Sequence, residues 1–304
     1  MISKTNIVYL ITLLLILFGC SSQGDPEKVT VDHFEINNNG QSQSFNVILM
    51  DNLVREYLVA SKDAKPELLK KLYEEKVFEP ISDYCLKDGE YLYLLGDIRN
   101  RVPEDIDSLE EVVEEKNKLS EVREIIKSAL IDSSTILKGP NTNVCVLPSS
   151  SDREVAFTVG TGKIIILYNP ELYRSQNELA GTVAHEYHHS VWTKDFFNKY
   201  KPFTLLDHII FEGKALYFQE LVYPGSTYLP DYSKKHMELR NEMYETLHTM
   251  NREYISEVMF GDSKFPYAFG YSEGYQLVAN YMKEHPELDV MGWTQLESEN
   301  FVKR

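Results

Sequence analysis

Nine residues, Thr182-Val183-Ala184-His185-Glu186-Tyr187-His188-His189-Ser190, constrain this chain more than any other stretch. They place two histidines four apart, with a glutamate directly after the first. On an α-helix, residues i and i+4 stand on one face. His185 and His189 can therefore offer two imidazoles to one metal ion. Glu186 lies about 100° further round the helix, beside such an ion. Zinc brings the pKa of water towards neutrality, and an adjacent carboxylate can take the proton. The spacing is what metal-assisted hydrolysis requires of a helix. Histidine is scarce, at 8 of 304 residues, so abundance does not explain the pair.

The helix itself is well specified. Ser175-Gln176-Asn177-Glu178 has the form of a capping box. Leu179, Ala180, Val183, Ala184, Tyr187, Val191 and Trp192 follow as a broad apolar face. Zinc in hydrolases takes three protein ligands and leaves a fourth position open. Glu212, 23 residues beyond His189, can supply the third from a second helix running from Thr204 to about Val222. His208, four residues before Glu212, shares its face as a rival ligand or hydrogen-bond donor. The carboxylate is favoured, because two histidines and a carboxylate form a common catalytic set. Asp207 and Glu220 are candidates to hydrogen-bond the ligand imidazoles; otherwise they are exposed helix charges.

The N-terminus carries a second signal. Lys4 precedes an apolar run over residues 7–18, too short for an ordinary membrane span and suited to a signal peptide. Leu17-Phe18-Gly19-Cys20 resembles a bacterial lipoprotein signal, with cleavage before Cys20 and lipid on its thiol. Residues 1–19 then read as a signal peptide and 20–30 as a tether. The mature protein is expected outside the cytoplasm, lipid-anchored to the bacterial cell membrane or outer membrane. A net charge of −16 without a Lys/Arg run argues against a nucleic-acid partner. Cys85 and Cys145 remain. An oxidising compartment permits a bridge, but two unpaired thiols are the expectation here. No Cys-x-x-Cys spacing supports a structural zinc site.

Residues 31–140 read as a mostly helical region. Strands are expected over 31–36 and 45–50, and helices over 51–60 and 66–75. A capping box at Ser108 opens a helical zone that Gly139-Pro140 stops. Residues 141–304 read as the metalloprotease region. Strands over 144–147, 155–159 and 163–168 lead into the zinc helix, the last two joined by Gly160-Thr161-Gly162. One edge strand could pair with an extended peptide. One long helix is expected over 233–259, and a last main helix from Ala268 to about Lys283. An oxyanion needs a donor. Tyr271, Tyr275 and His188 are candidates, although each can equally be a packing residue.

The residues Ala184-His185-Glu186-Tyr187-His188-His189, Asp207-His208-Ile209-Ile210-Phe211-Glu212-Gly213-Lys214-Ala215, and Gly270-Tyr271 with Gly274-Tyr275 resemble a bacterial family of zinc-dependent proteases. It is catalogued as domain of unknown function 2268 and looks gluzincin-like. The resemblance covers most of the C-terminal half. It implies an α+β fold, mainly helical and zincin-like, with a small antiparallel sheet before the HExxH helix. It implies Zn2+ held by His185, His189 and Glu212, with Glu186 as general base. Lys214 departs from the motif, standing where an apolar residue is usual. The expected function is a lipid-anchored extracytoplasmic zinc peptidase acting on a peptide or protein substrate. The alternatives are an inactive metal-binding accessory lipoprotein and a zinc amidase acting on cell-wall material.

Overall fold

β1 (Thr30–Asn38) and β2 (Gln41–Leu49) form an antiparallel hairpin that turns at Gly40. The turn needs a positive φ, 81° here, which glycine adopts without steric cost. The computed structural model describes residues 29–302, apart from 39, 101–102, 104–105, 115, 151–155, 199–200 and 233–235. The signal peptide, Cys20 and nearly all of the tether lie outside the described residues. Among the described residues no helix is long and apolar enough to cross a membrane.

After β2 the chain makes a long helical excursion. It comprises α1 (Asp51–Ser61), α2 (Pro66–Tyr73), irregular turns over 74–95, α3 (Gly96–Asn100), α4 (Ile106–Glu114) and α5 (Lys116–Ile136). It returns as β3 (Thr142–Pro148), followed by β4 (Ala156–Gly160) and β5 (Lys163–Tyr168). The sheet order is β1-β2-β3-β5-β4. β3 lies parallel to both β2 and β5, while β4 and β5 are antiparallel. The α+β, mainly helical expectation stands, with the sheet mixed where an antiparallel one was expected. The excursion over 50–141 is the crossover that parallel pairing demands, and it joins both pairs of strands into one sheet.

Both faces of that sheet are covered, so the central strands are apolar throughout. Val47, Leu49, Val144, Val146, Ile164 and Ile166 point to one core, shared with α5 and the C-terminal helices. Ile48, Cys145, Leu147, Ile165 and Leu167 point to the other, under α1, α4 and the turns over 74–86. This is the two-residue alternation of a strand. In the second core, Cys85 and Cys145 form a disulfide. The expected pair of unpaired thiols is therefore corrected: the crossover folds back until the turn carrying Cys85 lies against the middle of β3.

The C-terminal half continues with α6 (Gln176–Phe196), α7 (Leu205–Val222), α8 (Met237–Glu245), α9 (Arg252–Phe260), α10 (Phe269–Glu284) and α11 (Val290–Thr294). α7 and α10 touch backbone to backbone. A Cβ on Gly274 would fall 2.1 Å from the Ile209 carbonyl oxygen, and one on Gly213 would fall 2.4 Å from the Gly274 carbonyl carbon.

Two helix boundaries differ from expectation. α4 begins at Ile106, so Ser108 lies inside it rather than capping it. The single helix expected over 233–259 is two, α8 and α9. The break has a cause: the first N–H groups of α7, from Leu205 and Leu206, donate to the carbonyls of Thr249 and Leu247. A continuous helix would have consumed those carbonyls. Asn251 then restarts the helix by accepting from the N–H groups of Glu253 and Tyr254.

The disulfide closes a loop of 60 residues. By the chain-entropy argument it stabilises the fold by about 4 kcal/mol. The double variant Cys85→Ala/Cys145→Ala should therefore unfold at markedly lower denaturant, with a lowered Tm. An unchanged denaturation midpoint would show that the bridge contributes nothing.

Candidate metal centre

α6 is buried nearly all round, as a helix packed between a sheet and other helices must be. Its start follows the sequence in part. The Ser175 hydroxyl accepts from Glu178 N–H at 3.2 Å, but the Glu178 carboxylate reaches back to Arg174 N–H, one residue before the cap. α7 opens on a complete capping box. Thr204 Oγ1 accepts from Asp207 N–H, and Asp207 Oδ2 accepts from Thr204 N–H at 3.0 Å.

The crossing of α6 and α7 brings three donors together. His185 Nε2 and His189 Nε2 lie 3.0 Å apart, and Glu212 Oε2 lies 3.2 Å from each. Among the described residues this is the group of His, Cys, Asp or Glu side chains whose ligand atoms converge tightly enough to hold a metal ion. The residues fit zinc. With zinc bonds of about 2.0–2.1 Å in a tetrahedral shell, neighbouring donors stand roughly 3.3 Å apart. The electrostatics agree. Burial would raise the pKa of Glu212, but His189 and His185 outweigh it and hold the carboxyl far below its ordinary range. Burial would lower that of His185. The hydrogen bond to Glu212, the charges of Glu186 and Glu212 and the nearby Gln219 outweigh it and raise the value. His185 and Glu212 thus each stabilise the charged form of the other.

Glu186 is buried next to this group without joining it. The Thr158 hydroxyl, from β4, lies 2.9 Å from Glu186 Oε2 and 2.8 Å from the Glu186 carbonyl oxygen. Tyr173 and Tyr271 also stand near the acidic groups. Burial raises both phenols, and the charge of Glu186 raises each further, with Glu212 adding to the effect on Tyr271. Both phenols are therefore held in the neutral form, which carries a proton to donate. Phe211 stacks on His189, with ring centroids 3.9 Å apart, and Trp192 and Phe203 pack edge-on against Phe211.

The remaining candidates are placed elsewhere. Tyr275 lies beside Tyr217 and Glu220, lining a small cavity of about 190 Å3 with Ser272 and Gln276. His188 points away from the donors, stacked on Trp293 with its Nε2 3.2 Å from Thr294 Oγ1. Burial, followed by His189 and Lys214, lowers its pKa well below the usual value, so it is neutral. His208 packs against Phe203 outside the donor group. Asp207 is occupied by its capping box and by the Ser298 hydroxyl. Glu220 accepts from Gly225 N–H. Neither carboxylate meets a ligand imidazole. Lys214 is buried because it caps α11: its Nζ donates to the carbonyls of Thr294 and Leu296 at 2.8 and 2.6 Å. Burial brings it down to about 7.

Two contributors escaped the sequence reading. Gln219 lies close enough to the His185 ring to help raise its pKa and donates from Nε2 to the Ser226 carbonyl at 3.2 Å. Its signal was present: it stands seven residues beyond Glu212, on the same face of α7. Thr158 had no local signal, since only the packing of β4 on α6 brings it to Glu186.

Two imidazoles and one carboxylate converging beside a second carboxylate that stays outside the group form the donor set that mononuclear zinc hydrolases use. The chain belongs to the family described as predicted Zn-dependent protease (DUF2268), whose model matches residues 122–303, more than half of its length. No curated protein and no solved structure matches it.

Two outcomes are expected. His189→Ala should lose zinc affinity by ~100-fold or more, read as metal per chain after passage through metal-free buffer; full occupancy in the variant would remove His189 from the site. For Asp207, burial raises the pKa, but the Thr204 N–H, the Ser298 and Thr204 hydroxyls and Lys201 outweigh it and lower it below 3.8. A depressed folded value stabilises above the unfolded pKa and is lost as pH falls through the folded one. Asp207→Ala should therefore cost about 1 kcal/mol at pH 7, and its gap from the wild type should narrow in acid below pH 3.8. A gap independent of pH would refute the role given to its charge.

Proposed function

We propose that this chain is a lipid-anchored extracytoplasmic zinc metallopeptidase, tethered through Cys20, that hydrolyses peptide bonds. The observation that carries the reading is the convergence of His185, His189 and Glu212 beside a Glu186 that is held apart from them. His185, His189 and Glu212 would hold the metal. Zinc, when bound, supplies Lewis acidity to the scissile carbonyl and to water. Glu186 accepts the proton of the attacking water and passes it to the leaving amine. Tyr271, kept neutral by burial and by its acidic neighbours, donates to the developing oxyanion. No part of the reading rests on Tyr275 or His188.

The strand β4 bounds the site at the sheet edge. An extended substrate pairing with that edge would meet the outward backbone groups of Ala156 and Thr158. The next outward carbonyl, Val159, already accepts from Tyr91 N–H at 2.9 Å, so the open edge is short. Substrate grip therefore falls more on side chains than on a long ladder.

Glu186→Gln should keep about one zinc per chain and lower kcat on a quenched-peptide library by at least ~100-fold. Wild-type turnover in this variant would remove Glu186 from the base role. Zinc-loaded wild type that cleaves cell-wall amides and leaves the peptide library intact would shift the reading to an amidase. Wild type that holds zinc and turns over neither would make it an accessory lipoprotein.

A further inference from the structure

We infer that Thr158 is a positioning residue for Glu186: its hydroxyl, delivered by the edge strand β4, fixes the carboxylate beside the metal donors. The inference rests on the reading of Glu186 as general base.

Glutamate reaches its carboxylate through three rotatable bonds. A buried carboxylate next to three converging metal donors can swing onto the metal as a further ligand, and a base consumed in that way takes no proton from water. Something must hold it off. Among the described residues, the hydrogen bond to the Glu186 side chain comes from Thr158 Oγ1, at 2.9 Å from Oε2. The other nearby acceptor is the Glu186 carbonyl, at 2.8 Å. A hydroxyl carries one proton, so Thr158 serves the carboxylate, the carbonyl or both in a shared bond. With Oε2 engaged, Oε1 is the oxygen left for a proton.

The fold makes Thr158 a rigid post. Its branched Cβ restricts χ1, and its side chain is buried. It pairs with Ile164 of β5, which is bonded in turn to β3. Immediately after it, between Thr158 and Gly160, β4 breaks register. Such irregularities re-aim a strand. The hairpin is fastened to α6 at a second point, where Gly162 N–H donates to Ser190 Oγ at 2.7 Å. Glu186 and Ser190 stand one helical turn apart, on the face that meets the hairpin. The Ser190 contact docks the hairpin; the Thr158 contact aims the carboxylate.

The test uses Thr158→Val, nearly isosteric but without the hydroxyl, and Thr158→Ser, which restores it. With zinc loaded, Thr158→Val should lose about 10–100-fold in kcat on the quenched-peptide library, the range seen when outer partners of a metal site are removed. KM and zinc per chain should be unchanged, and Thr158→Ser should recover most of the loss. Thr158→Ala replaces the valine variant if that one does not fold. A readout independent of turnover is the crystal structure of the hydroxyl-free variant, in which the Glu186 carboxylate should leave its wild-type position. Wild-type kcat in the hydroxyl-free variant, equal losses in the valine and serine variants, or an unmoved carboxylate would each overturn the proposal. A wild type without turnover would sink the general-base reading, and the crystallographic comparison would still decide whether Thr158 holds Glu186.

Discussion

Two imidazole nitrogens and a carboxylate oxygen within 3.0–3.2 Å of one another are an arrangement that only a stiff scaffold maintains. The facing nitrogen lone pairs repel unless a proton or a cation lies between them. The geometry must come from the helices that carry the donors. α6 supplies it by being embedded, with the sheet on one side and α5 and α7 on others. α7 supplies it through close approach to α10 at Gly213 and Gly274, where no side chain separates the backbones. Lys214, one residue from that contact, ties α7 to α11. Its placement in an apolar position of the motif follows from the need to satisfy the last carbonyls of a short helix in the interior.

The sheet does more than support α6. It separates two cores and faces both, so the crossover from β2 to β3 covers its far side while α5 returns to the near side with α6. The Cys85–Cys145 bridge pins the crossover to the strand at the centre of the sheet. β4, at the free edge, is the strand least constrained by neighbours. It is nevertheless fastened at Val159 to Tyr91, at Thr158 to Glu186 and through the following turn to Ser190. The edge that adjoins the metal donors is thereby anchored at three points.

What the sequence disclosed divides along the range of the interactions involved. His185, Glu186 and His189 were legible because helical periodicity is a local property, and Glu212 because zinc chemistry asks for a third donor on a neighbouring helix. The α6 and α7 starts were legible from Ser175 and Thr204 for the same local reason. The break between α8 and α9 was not, since it exists to give Leu247 and Thr249 carbonyls to α7, and nothing in residues 233–259 states that obligation. The bridge between Cys85 and Cys145 and the parallel pairing of β2 with β3 depend on where a long excursion returns. His188 illustrates the limit on the functional side. Its chemistry matched an oxyanion donor as well as Tyr271 did, and only the stacking on Trp293 shows that its ring turns inward.

The helix that carries Glu212 is braced by a chain of contacts through a loop and α10. Gln219 of α7 stands beside His185 and donates to the Ser226 carbonyl. Ser226 opens a loop whose further course is tied to α10 by the Ser272 hydroxyl on the Pro230 carbonyl. Arg240 donates to the Tyr232 carbonyl and grips buried Glu273 of α10 through two nitrogens, at 2.6 and 2.7 Å. Breaking such a buried pair from one side costs roughly 3–5 kcal/mol, because the charge left behind has no partner. α10 meets α7 at Gly274 and Gly213, and Gly213 follows Glu212. Gln219 and Glu212 both lie on α7, so the loop and α10 brace the helix that supplies the third donor.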